Sequence, residues 1–129
     1  MKKTLLATLL SLSSFTALAS ADLTSLIQQD YQQHLAPLFK HFHQNPELSH
    51  METQTARRLA KELRAAGFEV TEGVGKTGVV AMLKNGPGPL VMMRADMDGL
   101  PVQEKSGLPY ASVAKQTDWD GNDVYVMHA

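Results

Sequence analysis

The stretch Leu90-Val91-Met92-Met93-Arg94-Ala95-Asp96-Met97-Asp98-Gly99-Leu100-Pro101 decides the predicted fold. It is an apolar run that stops at two carboxylates and a turn. Gly86-Pro87-Gly88-Pro89 comes directly before it, and breakers on both sides of a short apolar run favour a strand. We therefore predict a central strand over Leu90–Ala95 that brings Asp96 and Asp98 to one end of a sheet.

The two carboxylates have two interpretations. Ligand-binding and catalytic groups of open α/β sheets gather at the carboxyl ends of strands, which favours a functional role for Asp96 and Asp98. An Asp-x-Asp before a glycine is also a common turn, whose carboxylates accept hydrogen bonds from nearby backbone N–H groups. The pattern alone leaves both interpretations open.

The sequence before this stretch predicts two helices and two short strands. Apolar residues recur at steps of three and four over 23–42, and we expect Pro37 to kink or restart this helix and Asn45-Pro46 to end it. Ser49 and Glu52 fit a capping box at the start of a second helix, which Gly67 closes. Strands are predicted over Phe68–Val70 and Gly78–Leu83.

The elements around and after this stretch complete the predicted fold. Asn85–Pro89 reads as a tight turn that pairs the second strand with Leu90–Ala95. Asp120-Gly121-Asn122 predicts a turn, and Val124–Met127 is a last apolar run that we expect to lack a covering partner. Helices followed by strands, with a tight turn between the last two strands, indicate an α/β fold with a mixed sheet.

The first 21 residues have the pattern of a secretory signal peptide. Lys2-Lys3 is a positive n-region, Leu5–Leu12 an apolar core, and Ala17-Leu18-Ala19 and Ala19-Ser20-Ala21 are overlapping cleavage sites. We expect cleavage before Asp22, a mature domain over residues 22–129, and export to the periplasm or medium, with no membrane attachment afterwards. An uncleaved anchor is the alternative, although the apolar core is short for a membrane span.

Composition narrows the class of protein. The 129 residues include 13 acidic and 12 Lys or Arg residues, so the net charge gives no electrostatic reason to expect nucleic acid as a partner. There is no cysteine, and an exported domain without disulfides depends on an ordinary hydrophobic core.

Two tempting motifs fail on their context. Gly73-Val74-Gly75-Lys76-Thr77-Gly78 satisfies G-x-G-x-x-G, but a phosphate-binding loop must open a helix, and the residues that follow read as a strand. We interpret these glycines as a turn. His41 and His43 are two residues apart and diverge on a helix, so the sequence assigns no histidine as a metal ligand.

Five blocks in register resemble the hippurate hydrolase and N-acyl-amino-acid amidohydrolase family of metallopeptidases. The blocks are His43-Gln44-Asn45-Pro46-Glu47-Leu48-Ser49, Thr77-Gly78-Val79-Val80-Ala81, Arg94 to Pro101 with Glu104, Leu108-Pro109-Tyr110-Ala111-Ser112, and Met127-His128-Ala129. Each block is weak alone, but together they cover nearly all of the mature chain. The departure is Gly99, where the family more commonly has Ala.

The resemblance implies the amino-terminal part of a three-layer αβα catalytic domain. In the complete enzyme, two divalent metal ions (zinc, manganese, nickel or cobalt) polarise the amide carbonyl and hold a bridging water that a Glu activates. The family's Cys-Gly-His-Asp block, with its metal ligands, would follow Ala129, so the resemblance assigns no metal ligand to this chain and predicts that it is inactive alone.

The resemblance also implies roles for the two carboxylates. Asp98 matches an Asp beside the metal centre that hydrogen-bonds a ligand and orients it. Asp96 lies where related peptidases carry a metal-binding His, and the amidohydrolase branch carries an Asp that is not a ligand. The implied partner is a small N-acyl amino acid or peptide, and the resemblance permits a homodimer of the complete enzyme. An exported binding module that keeps the fold without a metal site is the alternative function.

Overall fold

The computed structural model describes residues 22–128. The chain divides into two compact units, Met1–Phe39 and Lys40–Ala129. The predicted signal peptide at residues 1–21 lies outside the described residues. Within the described range, no helix is both long enough and apolar enough to cross a membrane.

The first unit is helical over its described residues. An α-helix at residues 22–30 leads into a π-helix at Tyr31–Leu35 and then into α1, Ala36–Gln44. The Ala36 N–H donates to the carbonyl of Tyr31, five residues earlier, and this wider turn lies directly before Pro37. Proline lacks an N–H and its ring crowds the preceding turn, so a change of helical geometry here relieves that clash. The predicted disturbance at Pro37 is confirmed.

The helix ends where the sequence predicts. The last helical residue is Gln44, and the side-chain amide of Asn45 donates to the carbonyl of His41 at 2.7 Å. That bond satisfies one of the carbonyls that a helix leaves unpaired at its end. The predicted apolar face of the helix is not buried among the described residues, because Leu23, Leu26 and Ile27 are each more than half exposed.

The second helix, α2, spans Thr53–Ala65, and the predicted capping box is wrong. Glu52 is the N-cap residue, and the Glu47 carboxylate accepts the N–H groups of Gln54 at 3.1 Å and Thr55 at 2.7 Å. A carboxylate suits this position because it is charged and faces the positive end of the helix. Gly67, at φ +89°, closes the helix as predicted.

An antiparallel hairpin follows α2. β1 is Glu69–Val74 and β2 is Gly78–Met82, which confirms both predicted strands. The glycine-rich motif is their turn, with Gly73, Gly75 and Lys76 at positive φ. Helix α2 packs on this hairpin through Ala56 and Ala60, which are 7% and 0% exposed, and such small side chains allow close approach.

The predicted central strand over Leu90–Ala95 is wrong. Residues 90–95 have no regular secondary structure, and the side chains of Leu90, Val91, Met92 and Met93 are 80–95% exposed. A central strand needs partners on both edges, whereas β2 pairs with β1, and no other strand lies beside this run among residues 22–128.

A second antiparallel pair ends the described chain. β3 is Lys115–Thr117 and β4 is Asp123–Tyr125, with Val124 opposite Gln116. The predicted turn at 120–122 is confirmed, and Asp118 accepts the N–H groups of Asp120 and Asn122 at 3.0 and 2.8 Å. The expectation that Val124–Met127 lacks a covering partner is wrong, since β3 pairs with β4 and Val126 is 1% exposed.

The predicted α/β class is confirmed. Helix α2 covers one face of a hairpin, and a second hairpin lies later in the chain. The parallel component is an isolated bridge between Leu48 and Gly99, and Leu100 forms an antiparallel bridge with Met127. Residues 99 and 100 thus connect the segment after α1 with the segment after β4.

Candidate functional site

The candidate site begins at Asp98, directly before the bridged residues. The Gly99 N–H donates to the Glu47 carbonyl at 2.6 Å, and Leu100 and Met127 exchange two backbone hydrogen bonds at 2.7 and 3.1 Å. Gly99 is buried. The backbone directly after Asp98 is therefore held by two different segments, through Gly99 on one side and Leu100 on the other, as in a strand within a sheet. The run before Asp98 is not a strand.

The carboxylates of Asp96 and Asp98 lie in different surroundings. Asp96 is ion-paired with Arg94, and its side chain is 58% exposed. Asp98 is half-buried, and no side chain or backbone group of residues 22–128 donates a hydrogen bond to it. An ionised carboxylate can accept several hydrogen bonds, so Asp98 has acceptor capacity that the described residues do not use.

The most enclosed carboxylate near this position belongs to Glu104, which the sequence pattern did not single out as a site residue. Its side chain is 1% exposed. The Nε2 atom of His43 lies 2.9 Å from Oε1, the Ser106 hydroxyl donates to the same oxygen, and the Ser112 N–H donates to Oε2. Because an ionised carboxylate can only accept, Nε2 is the protonated ring nitrogen of His43.

These donors stabilise the ionised form of Glu104. The Ser106 hydroxyl, the His43 ring and the Ser112 N–H lower the pKa of this carboxyl from its ordinary value of 4.5 to about 2, against the opposing effect of burial. Glu104 is therefore charged at neutral pH and acts as a hydrogen-bond acceptor. Its position does not suit it to give or take protons near pH 7.

The network continues from Glu104 to β4. The hydroxyl of buried Ser112 donates to the carbonyl of Val126 at 2.7 Å and accepts the N–H of Ala114 at 3.2 Å. On the other side, the ring of Tyr110 meets the His43 ring edge-on, with 5.3 Å between centroids. His43 from α1 and Val126 after β4 are thus joined through Glu104 and Ser112.

A second buried carboxylate lies at the start of α2. Glu52 is 6% exposed and accepts the Thr77 hydroxyl at 2.6 Å. Burial alone would raise the pKa of Glu52, but the bonds from Thr77 and from the backbone N–H groups of Glu52 and His50 outweigh it, so the pKa is lowered. This pair joins the helix to the hairpin turn and is a structural contact.

The residues present do not by themselves form a metal centre. Among residues 22–128, no three His, Cys, Asp or Glu side chains lie close enough together to hold a metal ion. Catalytic metal sites use several converging ligands, and Asp98 alone does not meet that requirement.

Sequence reasoning reached part of this arrangement. It singled out Asp96 and Asp98, which the structure does not place in any group of three or more candidate ligands among residues 22–128. It did not assign a role to the Glu104 network. Glu104 lies two residues before Ser106 and eight before Ser112, and this closeness in sequence is a local signal that could have suggested the contacts with the two serines. The contribution of His43, 61 residues away from Glu104, has no such signal.

No protein-family model matches the chain. Curated proteins that are similar to it in sequence include the following three. Hippurate hydrolase of Campylobacter jejuni is 45% identical over 84 residues, which are 64% of this chain and 22% of that protein. Thermostable carboxypeptidase 2 of Saccharolobus solfataricus is 49% identical over 75 residues, 57% of this chain and 19% of that protein. N-acetyl-L-cysteine deacetylase of Bacillus subtilis is 41% identical over 85 residues, 65% of this chain and 20% of that protein.

The fold also resembles that of a solved structure. That structure is a dinuclear metal binding peptidase of the M20 family from Bacillus subtilis, with a TM-score of 0.62 and 30% sequence identity, and the match covers 78% of this chain and 26% of that one. The chain spans about a fifth of the length of the curated relatives it matches, 22%, 19% and 20% for the three above.

Proposed function

We propose that this chain, which is related in sequence and fold to the hippurate hydrolase and N-acyl-amino-acid amidohydrolase family of metallopeptidases, is the amino-terminal part of an exported amidohydrolase. The substrate would be a small N-acyl amino acid or peptide, and the reaction is hydrolysis of its amide bond. The observation that carries this proposal is the 45% identity to hippurate hydrolase over 84 residues. The names of the carboxypeptidase and deacetylase relatives also describe cleavage of an amide bond next to an amino acid.

The proposed enzyme uses two divalent metal ions. Support comes from the similar fold of a dinuclear metal binding peptidase. Because the described residues offer no group of three ligands, we assign the metal ligands to parts of the complete protein other than residues 22–128. No step of the reaction is therefore assigned to a metal held by this chain.

Asp98 has a defined part in this proposal. Its half-buried carboxylate has unused acceptor capacity and sits next to a backbone held at Gly99 and Leu100. A carboxylate in that position can accept the N–H of a histidine ligand, which fixes the tautomer and orientation of the ring. Asp96, already paired with Arg94 and largely exposed, is assigned at most a smaller effect.

The test uses the complete protein that contains this sequence. Metal-loaded protein is incubated with hippurate and with N-acetyl amino acids, and the released amino acid is measured together with the metal content. We expect release that a chelator abolishes and added metal restores. The 129-residue chain alone is the control, and we expect it to bind no metal pair tightly and to release nothing.

The competing function is an exported binding module without catalysis. It predicts that the complete protein, even after incubation with metal, binds the same compounds in calorimetry and releases no amino acid from any of them. That outcome would reject the amidohydrolase proposal.

Export is a separate part of the proposal, supported by the n-region, apolar core and cleavage sites of residues 1–21. We expect the mature protein to begin at Asp22. Intact-mass measurement of protein recovered from the periplasm or medium tests this, and a mass that retains residues 1–18 would contradict it.

A further inference from the structure

We propose that His43, Glu104 and Ser112 form a latch that holds the segment from Gly99 to Ser112 against the end of α1 and the end of β4, and thereby sets the position of Asp98. The three residues act on Asp98 through the backbone, so they are positioning residues. The consequence for catalysis rests on the proposed function, while the latch itself does not.

The first step is the convergence on Glu104. Three donors from separate parts of the chain meet at one carboxylate that is 1% exposed: the His43 ring, the Ser106 hydroxyl and the Ser112 N–H. Removing the charge or one oxygen would leave a buried donor without an acceptor, which costs more than the loss of an exposed hydrogen bond. The carboxylate therefore links α1, through His43, to Ser106 and to Ser112.

The second step leads from Ser112 to Gly99. The Ser112 hydroxyl holds the Val126 carbonyl at 2.7 Å, and Val126 packs against Gly99, since its Cγ1 lies 2.7 Å from where a Cβ on Gly99 would be. Val126 is 1% exposed, so it has little room to move away. A shift of Ser112 is therefore transmitted to the backbone beside Asp98.

The third step concerns the contacts that Gly99 and Glu104 make with the end of α1 and the residues after it. Pro46 also lies against Gly99, and the Glu47 carbonyl accepts the Gly99 N–H at 2.6 Å. His43 lies three residues before Pro46 and holds Glu104 at 2.9 Å. The segment from 99 to 112 is thus fixed to the stretch 43–47 at two positions, Gly99 and Glu104.

The experiment measures backbone amide hydrogen exchange in the folded chain and in Glu104→Gln. The glutamine keeps the shape but presents an amide NH2 to one of the three donors. We expect exchange at the N–H groups of Gly99, Leu100 and Met127 to accelerate by roughly 10- to 100-fold, the scale of a lost hydrogen bond to a charged group. Amides of the β1–β2 hairpin should keep their rates.

The matched control is Glu69→Gln, the same change at a side chain that is 70% exposed and paired only with Lys84. It should leave the amides of residues 99, 100 and 127 unchanged. Should Glu104→Gln fail to fold, Ser106→Ala removes a single donor from an exposed residue and should produce the same local pattern in weaker form. Unchanged exchange in every variant, or acceleration of equal size in the hairpin, would overturn the latch.

A second measurement separates the latch from the proposed function. In the complete enzyme, Glu104→Gln should lower kcat with little change in KM, because it displaces Asp98 without removing a substrate contact. A local exchange effect in a protein without amidohydrolase activity would support the latch and reject the proposed function. Full kcat together with the local exchange effect would overturn the positioning of Asp98.

Discussion

The Cγ1 atom of Val126 lies 2.7 Å from the position that a Cβ atom would occupy on Gly99. Pro46 Cβ lies 2.9 Å from the same position. Glycine is thus required here because a side chain would have no space. Backbone conformation is not the reason, because the φ of Gly99 is not in the left-handed region. The local sequence around Gly99 does not reveal this, because the space depends on Val126.

We expect Gly99→Ala to destabilise the chain by about 1–3 kcal/mol, the usual cost of an extra carbon in a filled site. Urea unfolding of the two proteins measures it. Val126→Ala should relieve the part of the clash that comes from Val126, so the double variant should be less destabilised than the sum of the single variants. Strict additivity would mean that Val126 is not the group that excludes the methyl.

Thr77→Val should destabilise the packing of α2 on the hairpin by about 1.5–3 kcal/mol, because the buried, charged Glu52 carboxylate loses the 2.6 Å bond from the Thr77 hydroxyl. Thr71→Val, on an exposed position of β1, is the matched control and should have little effect. Equal midpoints for Thr77→Val and the parent chain in urea would contradict the assignment.

The stability of the chain should fall in acid partly through Glu104. Its pKa is lowered from 4.5 to about 2 in the folded state, so its contribution is fully present above pH 4.5 and is lost as the pH falls toward 2. The urea midpoint of Glu104→Gln should therefore depend less steeply on pH over this window than that of the parent. His43, which bonds Glu104, and Lys40, which lies over the ring of Tyr110, are present in both proteins, so the comparison isolates the change at residue 104 together with its contact to His43. Parallel pH profiles would show that Glu104 is not held in its charged form.

In the complete enzyme, Asp98→Ala should lower activity and metal affinity by about 10- to 100-fold, the scale seen when the partner of a metal ligand is removed. Asp96→Ala is the matched comparison and should have a smaller effect, because its carboxylate is exposed and engaged with Arg94. Steady-state kinetics and elemental analysis of the purified variants decide between them. Full activity and metal content in Asp98→Ala would reject the role.

The exposed run Leu90–Met93 should make the chain prone to association. Unpaired extended apolar segments favour contact with other chains. Met92→Lys should raise the concentration at which light scattering detects oligomers, whereas Lys61→Met, adding an apolar side chain to the exposed face of α2, should not reproduce the behaviour of the run. Association that is unaffected by Met92→Lys would place the cause elsewhere.

Local signals predicted much of the fold. The carboxyl-terminal ends of α1 and α2, both strands of the first hairpin and the turn at 120–122 depend on Asn, Gly and Pro residues that act on the nearest backbone. The interpretation of 90–95 as a strand failed because an apolar run favours burial but carries no information about which strand would pair with it. Strand β3, Lys-Gln-Thr, was missed because it is polar and is defined by its pairing with β4.

The candidate site shows the same division. Asp96 and Asp98 stand out by their place after an apolar run, but their different surroundings depend on Arg94 and on the bridges at Gly99 and Leu100. Glu104 gains its importance from His43, which is remote in sequence, and from the burial of Ser112. Contacts between residues so far apart follow from the assembled chain, and no local pattern specifies them.

The stretch between the hairpin and Gly99 has a consequence for tolerance to length changes. Residues 84–98 make no backbone hydrogen bond to another segment of the described chain, while the hairpin is held by α2 and Gly99 is held by Glu47. A connection whose two ends are fixed independently contributes mainly the entropy of closing a loop, and doubling its length costs only about 0.6 kcal/mol. Residues added around Gly86 or Gly88 would therefore lengthen a tether without disturbing either anchored end, which makes this the natural place in the sequence for insertions.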